Sequence, residues 1–309
     1  MKILVTGGAG FIGSHIVDEL IKENHEVIII DNLSSGNKQF INESAKLYIA
    51  DIKDDINHIF EKEKPEIVIH TAAQVMLRKS LEEPIFDAAT NILGTINILE
   101  AAKKNKVKKI IYTSTCARYG EPKYLPVDEN HEIAPTSPYG ISKHSAEHYI
   151  EMYSKLYGLD YLIFCFGNVY GTRDNPKCKR VISIFSYNII KGEKPTIFGD
   201  GCQTRDFIFV EDLAKFIVKS MNKSPEHKLF NLANGEQISV NQIFKILKDT
   251  SGFKYDAEHI KGIPGEVRDV VLDTKLAKEE LDWIPKTSFK EGLKESFVWL
   301  KENYKIFEE

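Results

Sequence analysis

Lys2-Ile3-Leu4-Val5-Thr6-Gly7-Gly8-Ala9-Gly10-Phe11-Ile12-Gly13-Ser14-His15-Ile16 opens the chain and sets its architecture. A short apolar, β-branched run ends in glycines, and a helical spacing of apolar residues follows at once. Glycines at 7, 10 and 13 permit a tight turn and let backbone N–H groups approach an anion at the helix N-terminus. The next run, Glu26–Ile30, leads into Asp31, at the distance where a strand-end carboxylate accepts hydrogen bonds from ribose hydroxyls. Strand, turn, helix and distal acid together predict a dinucleotide site. Asp31 would repel a 2′-phosphate and Asn32-Leu33-Ser34-Ser35-Gly36 offers no arginine, so NAD is expected over NADP.

The same rhythm continues outward. Lys46–Ala50, Glu66–His70, Lys109–Thr113 and Asp160–Phe166 are further Val/Ile-rich runs, as expected for strands buried on both faces of a parallel sheet. Helical patterns at Ser14–Glu23, Ile85–Lys104 and Pro138–Tyr157 separate them. This is the βαβ alternation of an α/β, Rossmann-like doubly wound parallel sheet. The rhythm breaks after Gly167. Residues 1–168 and 203–234 are expected to form the NAD-binding domain, and 169–202 with 235–309 a smaller, discontinuous mixed α/β lobe for the substrate. Helices are predicted there over Val181–Lys191, Val240–Thr250, Leu276–Leu281 and Phe289–Asn303.

Composition narrows the class. The chain has 309 residues, 42% hydrophobic and 28% charged, which describes an ordinary globular protein with a large core. A net charge of −4 gives no basic field for nucleic acid or anionic lipid. The basic run at 103–109 sits at a helix C-terminus, where cations suit the dipole. No apolar run approaches membrane-span length and no leader pattern is present, so a cytoplasmic protein with no membrane partner is expected. Cys116, Cys165, Cys178 and Cys202 are scattered and read as reduced thiols.

Two later segments carry chemistry. Thr113-Ser114-Thr115-Cys116-Ala117-Arg118-Tyr119-Gly120 follows the fifth strand, and Ser137-Pro138-Tyr139-Gly140-Ile141-Ser142-Lys143 opens a helix. A phenol titrates near pH 10 and needs a neighbouring cation to act as a base at neutral pH. Tyr139 and Lys143 lie about one helical turn apart, and hydroxyls at a strand's C-terminal edge can hydrogen-bond a substrate hydroxyl.

Taken together, the chain resembles the extended short-chain dehydrogenase/reductase superfamily, and within it the nucleotide-sugar 4-epimerases of the UDP-glucose and UDP-N-acetylglucosamine type. His70-Thr71-Ala72-Ala73-Gln74, Asn91-Ile92-Leu93-Gly94-Thr95 and Asn168-Val169-Tyr170-Gly171 resemble its cofactor and phosphate segments. Gly199-Asp200-Gly201 with Thr204-Arg205-Asp206-Phe207, and Gly265-Glu266-Val267-Arg268 with Asp273 and Trp283-Ile284-Pro285, resemble its nucleotide-binding and C-terminal signatures.

The resemblance implies roles. Tyr139 is the general base, Lys143 lowers its pKa and binds the nicotinamide ribose, and Thr115 orients the sugar 4-hydroxyl, with Ser114 as its alternative. Cofactor contacts fall on Gly7, Gly10, Phe11, Ile12, Gly13, Asp31, Asn32, Asp51, Ile52, Ala72, Ala73, Asn91 and Ser114, besides Tyr139 and Lys143. Substrate contacts fall on Asn168, Thr196, Phe198, Arg205, Arg268 and Val270. The implied reaction is reversible oxidation at C4 of a UDP-sugar, through a 4-keto intermediate, with NAD regenerated each cycle. A homodimer through the helices of Ile85–Lys104 and Pro138–Tyr157 is implied as well.

Differences within the family narrow this further. Dehydratases carry Glu where this chain has Ala117, and 3,5-epimerases carry Cys there, whereas Cys116 is one residue off. Val270 stands where a bulky Tyr goes with plain UDP-glucose/galactose, so an N-acetylhexosamine-tolerant site is expected. Three departures stand out: Ile263 in place of a diphosphate-clamp Arg, Cys165 in place of an Arg, and a basic Lys177-Cys178-Lys179-Arg180 loop. Arg268 and Lys261 are left to compensate for the first. His144-Ser145-Ala146-Glu147-His148 fits an inverted zinc-peptidase spacing, but it lies on the cofactor helix without a third ligand, so no metal is expected. The competing readings are a nucleotide-sugar reductase or dehydratase, and a non-catalytic NAD-binding sensor.

Overall fold

The structure, a computed structural model, describes residues 1–262 and 267–308. Its centre is a seven-stranded sheet. Strand β1 (Lys2–Thr6) runs into helix α1 (Phe11–Lys22), followed by β2 (Glu26–Asp31), β3 (Lys46–Ile49), α2 (Asn57–Glu63), β4 (Ile67–His70) and α3 (Leu77–Glu82). The predicted helix over Ile85–Lys104 forms as α4 (Pro84–Ala88), a π turn (Ala89–Leu93) and α5 (Gly94–Lys104). Then come β5 (Lys109–Thr115), α6 (Pro138–Tyr157), β6 (Asp160–Phe166) and β7 (Asn168–Tyr170).

Beyond the break lie α7 (Val181–Ile190), β8 (Thr196–Phe198), β9 (Thr204–Arg205), β10 (Phe207–Phe209), α8 (Val210–Ser220) and β11 (Leu229–Leu232). The chain finishes with β12 (Ile238–Ser239), α9 (Val240–Ser251), β13 (Glu258–Ile260), α10 (Lys275–Leu281) and α11 (Phe289–Asn303).

Sheet order is β11-β6-β5-β4-β1-β2-β3, all parallel, in register Leu4↔Ile28 on one side of β1 and Leu4↔Val68 on the other. Successive strand residues alternate between two apolar layers: Ile3, Val5, Val27 and Ile29 face one, Leu4, Ile28 and Ile30 the other. That is why these strands read as unbroken apolar runs. Strand order reverses between β1 and β4, which opens a crevice at the strand C-termini, the expected ligand position of such a sheet.

A second core holds the other lobe together, with Phe185, Ile189, Ile243, Leu247, Phe289 and Phe297 among its members. Its boundaries differ from expectation. Ala277, Leu281 and Trp283 pack into the sheet core, Trp283 edge-on to Phe216 at 4.8 Å, so 235–309 is not a single lobe. Conversely Phe207 and Phe209, expected in the sheet domain, pack into the second core while Ile208 between them faces the first. Alternation along one strand lets β10 belong to both. No helix among the described residues is long and apolar enough to cross a membrane.

Candidate active site

The glycine turn is built on close approach. Gly7 has φ +71°, and a Cβ there would lie 2.7 Å from the Ala72 nitrogen. A Cβ on Gly13 would lie 2.1 Å from the Gly7 carbonyl oxygen, so the helix can begin only with glycine there. Gly10 caps α1 without any side-chain hydrogen bond, so the first-turn N–H groups point at a ligand site rather than at a protein cap. Thr6 Oγ1 lies 2.7 Å from His70 Nδ1, and His70 Nε2 lies 3.0 Å from Thr95 Oγ1, which ties β1, β4 and α5 together beneath the turn. Burial holds His70 well below the usual imidazole range, so this buried link is uncharged.

Asp31 accepts from the Ala9 amide at 3.0 Å and the Leu33 amide at 2.8 Å; burial raises its pKa and those amides oppose the rise. Its carboxylate lines a cleft shared with Gly7, Gly10, Phe11, Ile12 and Gly13. Asn32, Asp51, Ile52, Ala72 and Ala73 line the same cleft, as expected of an adenosine and pyrophosphate site. These residues fit NAD: the cradle has no room for Cβ atoms, the helix donors carry no side-chain cap, and a carboxylate stands where the ribose hydroxyls would be read. Asn91 is not among the residues lining either cleft. It is buried in the π turn, accepts from the Gln74 amide at 2.8 Å and donates to the Gln74 carbonyl and Ser142 Oγ, both at 3.0 Å. Its hydrogen bonds go to protein, so it positions the β4–α3 segment rather than lining the cleft.

A second cleft adjoins the first and is lined by Ser114, Thr115, Tyr139 and Lys143. Strand β5 delivers Ser114 and Thr115, while Ser137 caps α6 through the Gly140 amide at 3.2 Å and so places Tyr139 in the first turn. Burial pushes the Tyr139 phenol up to about 12, and the Thr115 side chain beside it favours the phenolate against that rise. Lys143 is buried with its Nζ 4.0 Å from the Tyr112 ring centre, and burial brings it down to about 7. At neutral pH Lys143 is then only partly charged, and Arg180 is a further cation acting on Tyr139. Ser114 donates to Glu147, which occupies it and leaves Thr115 as the hydroxyl offered to the cleft beside Tyr139.

The Cys165 departure has a physical account. Arg118 lies 3.6 Å from Cys165 Sγ and pairs with buried Glu147 at 3.3 Å, so the cation behind β6 comes from the turn after β5. The same Glu147 receives Ser114 and lies 2.8 Å from His144, which gives this acid of the zinc-like spacing a structural task.

Of the expected substrate residues, Asn168 and Arg205 line the catalytic cleft. Thr196, Phe198, Arg268 and Val270 do not. Thr196 and Phe198 sit on β8 beside β13, Arg268 forks onto Asp200 at 3.1 and 3.3 Å, and Val270 packs behind with Tyr119, Val127 and Leu272. Lys261 is exposed, and Ile263, Gly265 and Glu266 lie outside the described residues. Sequence reasoning missed Arg173 as a cleft residue, whereas Lys177, Lys179 and Arg180 come from the basic loop it had singled out.

A doubly wound sheet carrying an NAD cradle at its switch point and a Thr–Tyr–Lys group at the edge of β5 defines a nicotinamide-dependent enzyme of the extended short-chain dehydrogenase/reductase class. Residues 3–233 match the model of the NAD dependent epimerase/dehydratase family, and the chain belongs to that family. It is similar to the UDP-glucose 4-epimerase of Thermotoga maritima, solved with UDP-glucose, at 42% identity and TM-score 0.96, covering 98% of this chain and 100% of that one. It is similar also to the UDP-N-acetylglucosamine 4-epimerase of Methanobrevibacter ruminantium, solved with UDP-N-acetylmuramic acid (34% identity, TM-score 0.92, covering 97% and 98%). The UDP-glucose 4-epimerase of Mycolicibacterium smegmatis is 35% identical over 301 residues, 95% of this chain and 96% of that protein.

Proposed function

We propose that the chain is a UDP-sugar 4-epimerase that acts on the UDP-glucose/UDP-galactose pair and accepts the N-acetylated counterparts. The observation that carries this reading is that Thr115, Tyr139 and Lys143 line one cleft, and that this cleft adjoins the NAD cradle. Bound NAD supplies the hydride acceptor and donor at the sugar C4 and, when oxidised, a positive charge that favours the phenolate. Tyr139 Oη takes the 4-hydroxyl proton and later returns it, while Thr115 holds that hydroxyl in line. Arg205 and Asn168 hold the diphosphate, so the 4-keto sugar can turn over while the nucleotide stays anchored. Ala117 supplies no acid for loss of water, which argues against dehydration.

Val270 supports tolerance of an N-acetyl group: its short side chain stays with Tyr119 and Leu272, away from the catalytic cleft. We propose also that the chain works as a homodimer through α4–α5 and α6, where Ile85, Leu93, Ile141 and Leu156 are 85, 61, 51 and 64% exposed. The test is NMR of product mixtures from UDP-glucose, UDP-galactose and their N-acetyl analogues, with no added cofactor. C4 epimers without net NADH are expected. No turnover on either pair, or stoichiometric NADH consumption, would overturn the assignment.

A further inference from the structure

Every cation that lines the NAD cleft among the described residues (Arg173, Lys177 and Arg180) comes from one segment outside the sheet domain, 172–180. The sheet domain contributes only carboxylates, Asp31 and Asp51. A pyrophosphate carries two negative charges, and beside two carboxylates the amides of the glycine turn alone would have to offset it.

The segment is tied down over α1. Thr172 Oγ1 lies 2.8 Å from His15 Nε2, and Arg173 donates to Asp18 at 2.7 Å. At its far end Arg180 pairs with buried Asp174, and its guanidinium lies 5.4 Å over the ring of Phe11, the first residue of α1. Arg180 is also shared by the cofactor and catalytic clefts. A planar fork held by a carboxylate and stacked on an aromatic face has much of its ordering done before a ligand arrives.

We propose that segment 172–180 is a cationic strap of the cofactor site, and that Arg180 binds the pyrophosphate of NAD together with the amides of the glycine turn. Asp174 positions it, and His15 and Asp18 anchor the strap to the helix whose N-terminus serves the same anion. The inference concerns the cofactor only and does not depend on which sugar the enzyme turns over.

The experiment is fluorescence titration of the full-length protein, after removal of co-purified nucleotide, with NADH, ADP-ribose and adenosine at 50 and 300 mM KCl. Arg180→Gln is expected to weaken NADH and ADP-ribose by ten- to a hundredfold and to flatten their salt dependence, with adenosine affinity within twofold of the parent. Arg180→Lys, which keeps the charge and loses the fork, should fall between. Lys177→Gln, exposed on the strap, should change NADH affinity less than Arg180→Gln does. Unchanged NADH affinity in Arg180→Gln would overturn the assignment, as would an equal loss for adenosine. If Arg180→Gln does not fold, parent-like NADH affinity and salt dependence in Arg180→Lys would overturn it instead. A failure of UDP-sugar turnover alone would touch the proposed reaction and leave this binding result standing.

Discussion

Replacing Lys143 by Met tests the electrostatics of the site without a substrate. The amine is buried against Tyr112 and titrates at about 7 in the fold, against 10.5 in the open chain. Between those values the unfolded state holds a proton that the native state has lost, so stability from this group climbs as pH rises through the window. The full difference corresponds to roughly 5 kcal/mol, at about 1.4 kcal/mol per pH unit. Methionine keeps the apolar stem and removes the titration. Urea unfolding of cofactor-stripped protein, followed by fluorescence of buried Trp283, gives stability for parent and variant from pH 7.5 to 9.5. The parent should gain roughly 2 to 3 kcal/mol on Lys143→Met across those two pH units. A difference that stays flat within about half a kcal/mol would show an amine that remains charged in the fold, and the assigned partial neutrality of Lys143 would be wrong.

Three further outcomes follow from the geometry. Tyr139→Phe should lower kcat at least ~1000-fold and Thr115→Val ~10- to 100-fold, with NAD content unchanged in both; activity near parent in Tyr139→Phe would remove it as the base. Gly13→Ala drives a Cβ to 2.1 Å from the Gly7 carbonyl oxygen, so purified protein should lose its bound nucleotide and melt at a lower temperature; full NAD occupancy would contradict the close approach. Glu147→Gln strips the buried partner of Arg118 and should cost about 3 kcal/mol of stability by urea unfolding, with Arg118→Met/Glu147→Leu recovering part of it. A double variant no better than Glu147→Gln would mean that the pair is not coupled.

The candidate site was legible to unequal degrees. Residues 7 to 13, Asp31, Thr115, Tyr139 and Lys143 were readable because each sits at a fixed offset from the end of a strand or the start of a helix. Asn91 shows what sequence could not tell, because an amide looks the same there whether or not its hydrogen bonds go, as here, to the Gln74 backbone. Cys165 read as an isolated departure, yet it touches Arg118 from the turn after β5. The substrate side was the least readable: Arg268 pairs with Asp200 and Val270 packs away from the cleft, both through contacts between distant segments.

By itself the sequence determined the parallel sheet, the NAD turn and the placing of Thr115, Tyr139 and Lys143 at a strand end and a helix start, since alternation of apolar runs, glycine sterics and strand-end positions are local properties of the chain. Only the tertiary structure decided the rest. It returned α10 and Trp283 to the sheet core, split β10 between two cores, and laid a basic loop from the second lobe across the cofactor cleft. It also set the charge states of Tyr139 and Lys143, because desolvation depends on what the whole fold packs around a group, not on the residues beside it in the chain.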